Sequence, residues 1–448
     1  MNAAYLLLLL CLAIAFIVWG TARKNFNAFF VLLLAALCAG VLAGLPLNQV
    51  VEAVKTGFGE TMTKIGIVIL LGTALGVVLE KTGATLSLAH FLLDKIGRDR
   101  APAAIASTGF IVGLPIFCDS GFIILSGLNK SLVRASRFAM PVMATALATA
   151  LYSVHCLVPP HPGISAACGT MGADIGQVML WGIFLAVPGA LAGYTWALRS
   201  GKRVAGAALT VPEVEVEPAT TAPKPAVWRA VVPILLPVLL IGLKSVAPLV
   251  LAQALPKESW IYSTIGFIGD PVIALLLALF AAAALLLRRT EQSLHTWLNE
   301  GVVHSGLVLA IIGAGGAFGN ILKVAKIGEV LGQQLAVLHL GIWLPFVLAA
   351  ALKTAQGSST VAVITTASLL SPMLPQLGLD SDWHRVLATL AMGAGSMAVS
   401  HGSDAYFWVV SRFSELPPKV VYGTYTVATG IMALVVQGGI WTLFQIFT

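Results

Sequence analysis

Apolar runs long enough, or nearly long enough, to cross a bilayer recur from one end of this chain to the other, and they restrict it to a membrane architecture. They lie near residues 5–20, 26–45, 65–80, 138–157, 176–198, 230–252, 263–287, 303–322, 384–411 and 420–447. A spanning helix needs about 20 such residues, so the shorter runs have soft boundaries. With 58% of residues hydrophobic, 10% charged and a mean hydropathy of +0.93, no soluble globular class fits. The first run has no basic residue ahead of it, and Arg23 and Lys24 follow it, so it reads as a retained span and not a cleaved signal. Cys11, Cys38, Cys118, Cys156 and Cys168 show no CxxC spacing and sit in apolar stretches. That suits buried thiols and supports neither a disulfide framework nor a metal centre.

The net charge of +7 follows the ends of the apolar runs, which is the positive-inside pattern and not a nucleic-acid footprint. Placing the Arg23–Lys24 turn on the cytoplasmic side puts 18 of the 26 basic residues inside and both termini outside. The one hydrophilic segment, with VPEVEVEPATTAPKPA, reads as a cytoplasmic linker over residues 200–229. It divides the chain into 1–199 and 230–448, with five spans in each. An odd number per half inverts the second half relative to the first, which is the arithmetic of an inverted repeat.

The halves also share an order of features. Each has a Gly-rich span (IGIVILLGTALGVVLEKTG at 65–83; SGLVLAIIGAGGAFGNILKVAKIG at 305–328) and then an amphipathic stretch (86–97; 329–338). Next comes an apolar segment interrupted by polar and small residues, GLPIFCDSG at 113–121 and KTAQGSST at 353–360. Last is a span broken near its middle, HCLVPPHPG at 155–163 and SHGSDA at 400–405. Segments 101–133 and 341–374 are flanked by charges of one side only, so they read as two re-entrant helical hairpins with the interruptions at their tips. The broken spans are 138–173 and 384–411. The expected fold is therefore an all-α polytopic membrane protein, with about ten transmembrane helices and two re-entrant hairpins in two inverted-topology repeats.

Pro159, Pro160 and Pro162 remove backbone donors, and Gly163 and Gly402 permit turns, so both broken spans unwind. Half-helix N-termini beyond such breaks present free N–H groups and partial positive charge, a cradle for a carboxylate. Taken singly, each interruption reads equally as a packing kink, and His155 as a satisfied core histidine. Lys353 suits a hairpin tip or a snorkelling surface position alike. Four interruptions in matched order read as one site near the midplane.

VPPHPG at 158–163, KTAQGSSTVA at 353–362, HGSDAYFW at 401–408 and the GLPIFCDSGF block together resemble the gluconate permease (gluconate:proton symporter) family, over essentially the whole chain. That resemblance implies a multi-pass protein of the bacterial inner membrane importing gluconate or a related small hydroxy acid by proton symport. It further implies a homodimer working as an elevator. One branch of the family takes up D-serine. Many gluconate-type members carry Phe-Glu where this chain has Cys118-Asp119, with an apolar residue at the position of Ser120. The shorter acid keeps glycerate and other small carboxylates open as substrates.

On this reading the substrate carboxylate meets Gly357, Ser358, Ser359 and Thr360 at the second tip and the break at Pro160, His161 and Gly163. Its hydroxyls meet Ser120, Gln356, Ser403 and His161, and His401 and Asp404 complete the substrate-binding set. Proton coupling falls to Asp119, which has the most apolar neighbours, with Asp404 second. Sodium is the rival coupling ion. No cofactor or metal is implied: His161, His401 and Asp404 lack the ligand spacing of a metalloenzyme, and an anion channel is the remaining alternative class.

Overall fold

The computed structural model describes residues 3–447 apart from 24–25, 137, 205–224, 252–258, 287–290, 328–329, 331, 334–336, 338 and 403. The described residues form helices and no strands. Among the described residues, six helices are long and apolar enough to cross a membrane, or seven if one bent pair counts as a span, and four further apolar helices are shorter.

Two long helices, Leu47–Lys81 and Glu291–Val324, have 35 and 34 residues. At 1.5 Å per residue each is about 50 Å long, more than the ~30 Å of hydrocarbon. They pack antiparallel: Gly57 meets Gly316 and Ala317, and Gly301 meets Ala74. Glycine is needed at this crossing, since a Cβ on Gly57 would stand 2.5 Å from the Gly316 carbonyl oxygen. Lys81 and Glu300 pair at 3.0 Å at one end. The expected spans 65–80 and 303–322 are thus the inner parts of longer helices. The charged turns before Ile65 stay helical because the partner helix supports them, as when the Asn320 amide donates to the Ala53 carbonyl at 2.8 Å. Ala28–Leu42 packs on Glu291–Val324, and Pro271–Leu286 packs on Leu47–Lys81.

The expected span 263–287 is broken. Trp260–Ile268 and Pro271–Leu286 meet at 66°. Gly269 ends the first helix, and the Asp270 carboxylate accepts from Val272 N at 3.0 Å to start the second. Helices Ile175–Val204 and Val227–Leu251 cover both ends of the expected linker 200–229, whose residues 205–224 lie outside the described ones. The amphipathic stretch expected at 329–338 lies largely outside the described residues.

The inner layer holds the interrupted segments. Ala101–Gly113 and Cys118–Ala135 are joined by four residues, and Gly113 and Gly121, on either side of the joint, both close on Leu151. Trp343–Gln356 and Ser359–Leu370 are joined at Gly357, whose φ of +84° turns the chain in a conformation that side chains disfavour. The segments expected as broken spans form the helix pairs Met140–Leu157 with Pro162–Met171, and Asp382–Ser396 with Ala405–Phe413. Every residue of Met140–Leu157 except His155 is buried, so this helix is the centre of the protein. Large apolar side chains such as Phe184, Leu239 and Phe280 stand exposed on the outer helices, as a lipid-facing surface requires.

Candidate functional site

Four helix starts converge on one cavity of about 360 Å³. Phe117, Cys118 and Asp119 come from the start of Cys118–Ala135, and Pro162 from the start of Pro162–Met171. Ser358, Ser359 and Thr360 come from the start of Ser359–Leu370, and Asp404, Ala405 and Tyr406 from the start of Ala405–Phe413. Tyr152, His155, Gln356, Gly357, His304 and Val308 complete the wall. Val308 lies at the midpoint of its long helix, so the cavity sits halfway along that helix. The volume is far above the ~10–15 Å³ that admits one water.

The helix starts are brought together by close backbone packing. A Cβ on Gly163 would stand 3.1 Å from Thr360 Cα, so only glycine lets these two N-termini touch without displacement. Ser358 accepts from Val361 N at 3.3 Å and Asp404 from Tyr406 N at 3.0 Å, each capping its own helix. Backbone donors and partial positive charge therefore face the cavity from several sides.

Charge enters at three points. Asp404 pairs with Lys353 at 2.5 Å and also accepts from the Ser400 hydroxyl. Lys353 donates in addition to the Gly357 carbonyl and lies 5.8 Å from the Tyr152 ring centroid. Asp119 has no ion-pair partner among the described residues, and its Oδ1 is buried with no hydrogen-bond partner. Nε2 and Oε1 of Gln356 and Nδ1 of His155 are likewise buried and unpartnered. Buried polar atoms are rarely left so, and here four of them line one cavity. Among the described residues no three His, Cys, Asp or Glu side chains gather closely enough to hold a metal ion.

Of the residues singled out in the sequence, Asp119, Gln356, Gly357, Ser358, Ser359, Thr360 and Asp404 line the cavity. His161 and Gly163 stand one layer behind. The His161 ring lies 4.8 Å from that of His155, and its Nε2 donates to the Gly113 carbonyl at 2.7 Å. Three further residues point away from the cavity. Ser120 follows Asp119 in a helical turn and so points about 100° away from it. Pro160 packs against Gly72 and lines a separate apolar crevice of about 20 Å³ with Pro115 and Pro159. His401 turns its Nε2 to the Thr354 carbonyl at 2.9 Å. Ser403 lies outside the described residues.

Sequence reasoning did not assign Lys353, Tyr152, His155, Tyr406 or His304 to the site. One signal for Lys353 was legible: a cation in one interruption and an aspartate in another are natural partners if the interruptions meet. Nothing in the local sequence marks Tyr152 or Tyr406, which differ from core tyrosines only by what they face.

A gluconate permease of Pseudomonas aeruginosa is 32% identical over 441 residues, covering 97% of this chain and 96% of its own. The D-serine transporter DsdX of Escherichia coli K12 is 30% identical over 439 residues and covers 97% of both chains. The solved structure of Neisseria gonorrhoeae MtrF, from work on a class of antimetabolite efflux pumps, matches with a TM-score of 0.70 at 15% identity over 94% of this chain and 96% of its own. The Alcanivorax borkumensis YdaH transporter matches with a TM-score of 0.66 at 16% identity over 93% of this chain and 98% of its own. At those identities the two structures speak for the fold alone. A family model for GntP family permeases matches residues 5–447, and the chain belongs to that family: it is a multi-pass membrane permease, not an enzyme.

Proposed function

We propose that this permease imports gluconate or a related small hydroxy acid across the bacterial inner membrane by proton symport, as a homodimer working by elevator-type alternating access. The observation that carries the reading is the cavity where four helix starts meet the unpartnered Asp119 carboxylate and Gln356 amide. N–H groups and the hydroxyls of Ser358, Ser359 and Thr360 suit a carboxylate. Gln356 offers both a donor and an acceptor to substrate hydroxyls.

Formal charge supplies the coupling. Asp119 and Asp404 against Lys353 leave the site at a formal −1, so an arriving carboxylate is repelled. A proton on Asp119 removes that charge and admits the anion, so both enter together. Asp404 is a weaker candidate carrier because Lys353 already compensates it.

Packing symmetry supports two inverted repeats and two hairpins. Cys118–Ala135 packs on Ala405–Phe413, while Ser359–Leu370 packs on Pro162–Met171. The second arm of each pair thus meets the second part of the other half's broken span. The crossed contacts of Ala28–Leu42 and Pro271–Leu286 with the two long helices follow the same rule.

D-serine is the second reading, because the free Oδ1 of Asp119 would accept from its ammonium. Uptake of labelled gluconate, glycerate and D-serine into proteoliposomes, under separately imposed proton and sodium gradients, tests both. Saturable gluconate or glycerate accumulation driven by the proton gradient is expected. Accumulation driven only by sodium, or of none of the hydroxy acids, would refute the primary reading.

A further inference from the structure

A second polar cavity, of about 400 Å³, opens near the C-terminal end of the long helix Glu291–Val324. Lys64, Lys323 and Arg385 bring three positive charges to its wall from three separate helices, against one acid, Glu60. None of the three cations has an ion-pair partner among the described residues. Arg385 is held by carbonyls: its Nε donates to Asp380 O at 2.8 Å and its Nη1 to Met171 O at 3.3 Å. Those bonds fix the guanidinium without neutralising it. In the same wall Oε1 of Gln376 is buried and unpartnered.

One helix separates this cavity from the site described above. Ser359 and Thr360, at the start of Ser359–Leu370, line the inner cavity, and Ser371 and Pro372, just past its end, line the second. On the opposing long helix Val308 lines the first and Gly319 the second, on one face and about 16 Å apart at 1.5 Å per residue. Between them the barrier is small-residue packing, Gly315 on Ile364 and Ser368, and Gly319 on Ser368.

We infer that this second cavity is an outer receiving site for a small hydroxy-acid anion, with Lys64, Lys323 and Arg385 collecting its carboxylate and Gln376 Oε1 accepting from a hydroxyl. The inference rests on the transport reading and on the orientation that places these residues outside. An adjoining cavity shares Lys64 but is lined by Asp174, Asp270 and Asp382, of which Asp270 pairs with Lys244 at 3.3 Å. Its carboxylates repel anions, so the three-cation cavity is the one an anion enters. Focusing of an anion by a polar cleft of one charge sign raises encounter rates by roughly 10- to 1,000-fold, an effect that salt weakens.

The test is the double variant K64Q/K323Q in proteoliposomes, both side chains being exposed and removable without opening the core. At low salt the external KM for gluconate should rise about tenfold. The maximal rate of uptake and the KM measured from the internal face should not change, the matching loss in efflux appearing in its maximal rate as microscopic reversibility requires, and K64R/K323R should behave as the parent protein. An unchanged external KM, or an equal rise on both faces, overturns the inference. A second readout needs no transport: an anionic, sulfonated amine-acylating reagent should modify Lys64 and Lys323 several-fold faster than its uncharged analogue, relative to exposed Lys55, with millimolar gluconate slowing both. Equal relative rates for the two reagents overturn the anion site. Preferential, gluconate-protected labelling without any gluconate uptake keeps the anion site and refutes the transport reading.

Discussion

Lys353 Nζ lies 2.5 Å from Asp404 Oδ2, with only 1% of the lysine and 8% of the aspartate side chain exposed. The two come from different interruptions, 51 residues apart, and their pairing ties the turn at Gly357 to the start of Ala405–Phe413. A buried pair of this kind offsets the desolvation of each partner, and losing either partner leaves a bare charge in a medium that cannot solvate it.

Lys353→Met or Asp404→Asn alone should therefore destabilise the protein by about 3–5 kcal/mol. The double variant should recover most of that loss, because neither charge remains. Thermal unfolding in detergent across the double-mutant cycle checks this, and simple additivity of the two single losses would show that the residues do not act as a pair.

Asp119→Asn should separate binding from coupling. The amide keeps the size of the carboxylate but cannot carry the proton, so exchange of substrate between the two faces should persist while accumulation against a gradient collapses. Counterflow and proton-driven uptake in the same proteoliposomes give the comparison. Full retention of proton-driven accumulation would remove Asp119 from the mechanism.

Gln356→Leu should leave stability unchanged or raise it, because both amide atoms are buried without partners. If those atoms serve substrate hydroxyls, KM for gluconate should rise about tenfold, roughly the 1.4 kcal/mol of a lost hydrogen bond. A deoxy analogue lacking the hydroxyl in question should lose little further affinity. A destabilised variant with normal KM would identify Gln356 as structural.

Gly357→Ala forces a side chain into a φ of +84°, at a cost of about 1–2 kcal/mol. It should also displace the carbonyl that Lys353 holds. Lower thermal stability and impaired substrate binding should appear together, and a variant unchanged in both would mean the turn tolerates another conformation.

How much was legible from sequence differs between fold and site. The runs of apolar residues, the Pro- and Gly-bearing breaks at Val158–Gly163 and Ser400–Asp404, and the matched interruption KTAQGSST identified a membrane protein with broken helices, because chemistry at those positions is local. The lengths of Leu47–Lys81 and Glu291–Val324 were not legible. Their charged turns are held helical by a partner helix over two hundred residues away, as the Asn320–Ala53 bond illustrates. Nor was the bend at Gly269–Asp270 read, since a single glycine and proline in an apolar run look like an ordinary kink.

The site divides the same way. Side-chain identity marked Asp119, Gln356, Ser358, Ser359, Thr360 and Asp404 as polar groups that a bilayer would not tolerate without a purpose. Which of them face one another depends on helix phase and on packing across the chain. One residue of helical rotation sends Ser120 away from the cavity that Asp119 enters, and a proline ring packed on Gly72 takes Pro160 out of it. Lys353, equally suited to a surface or a tip when read alone, is committed to the interior because Asp404 is there to meet it. Composition and pattern are properties of the chain one residue at a time. The compensation of a buried charge requires two residues at hydrogen-bond distance, and that distance exists only once the helices have packed.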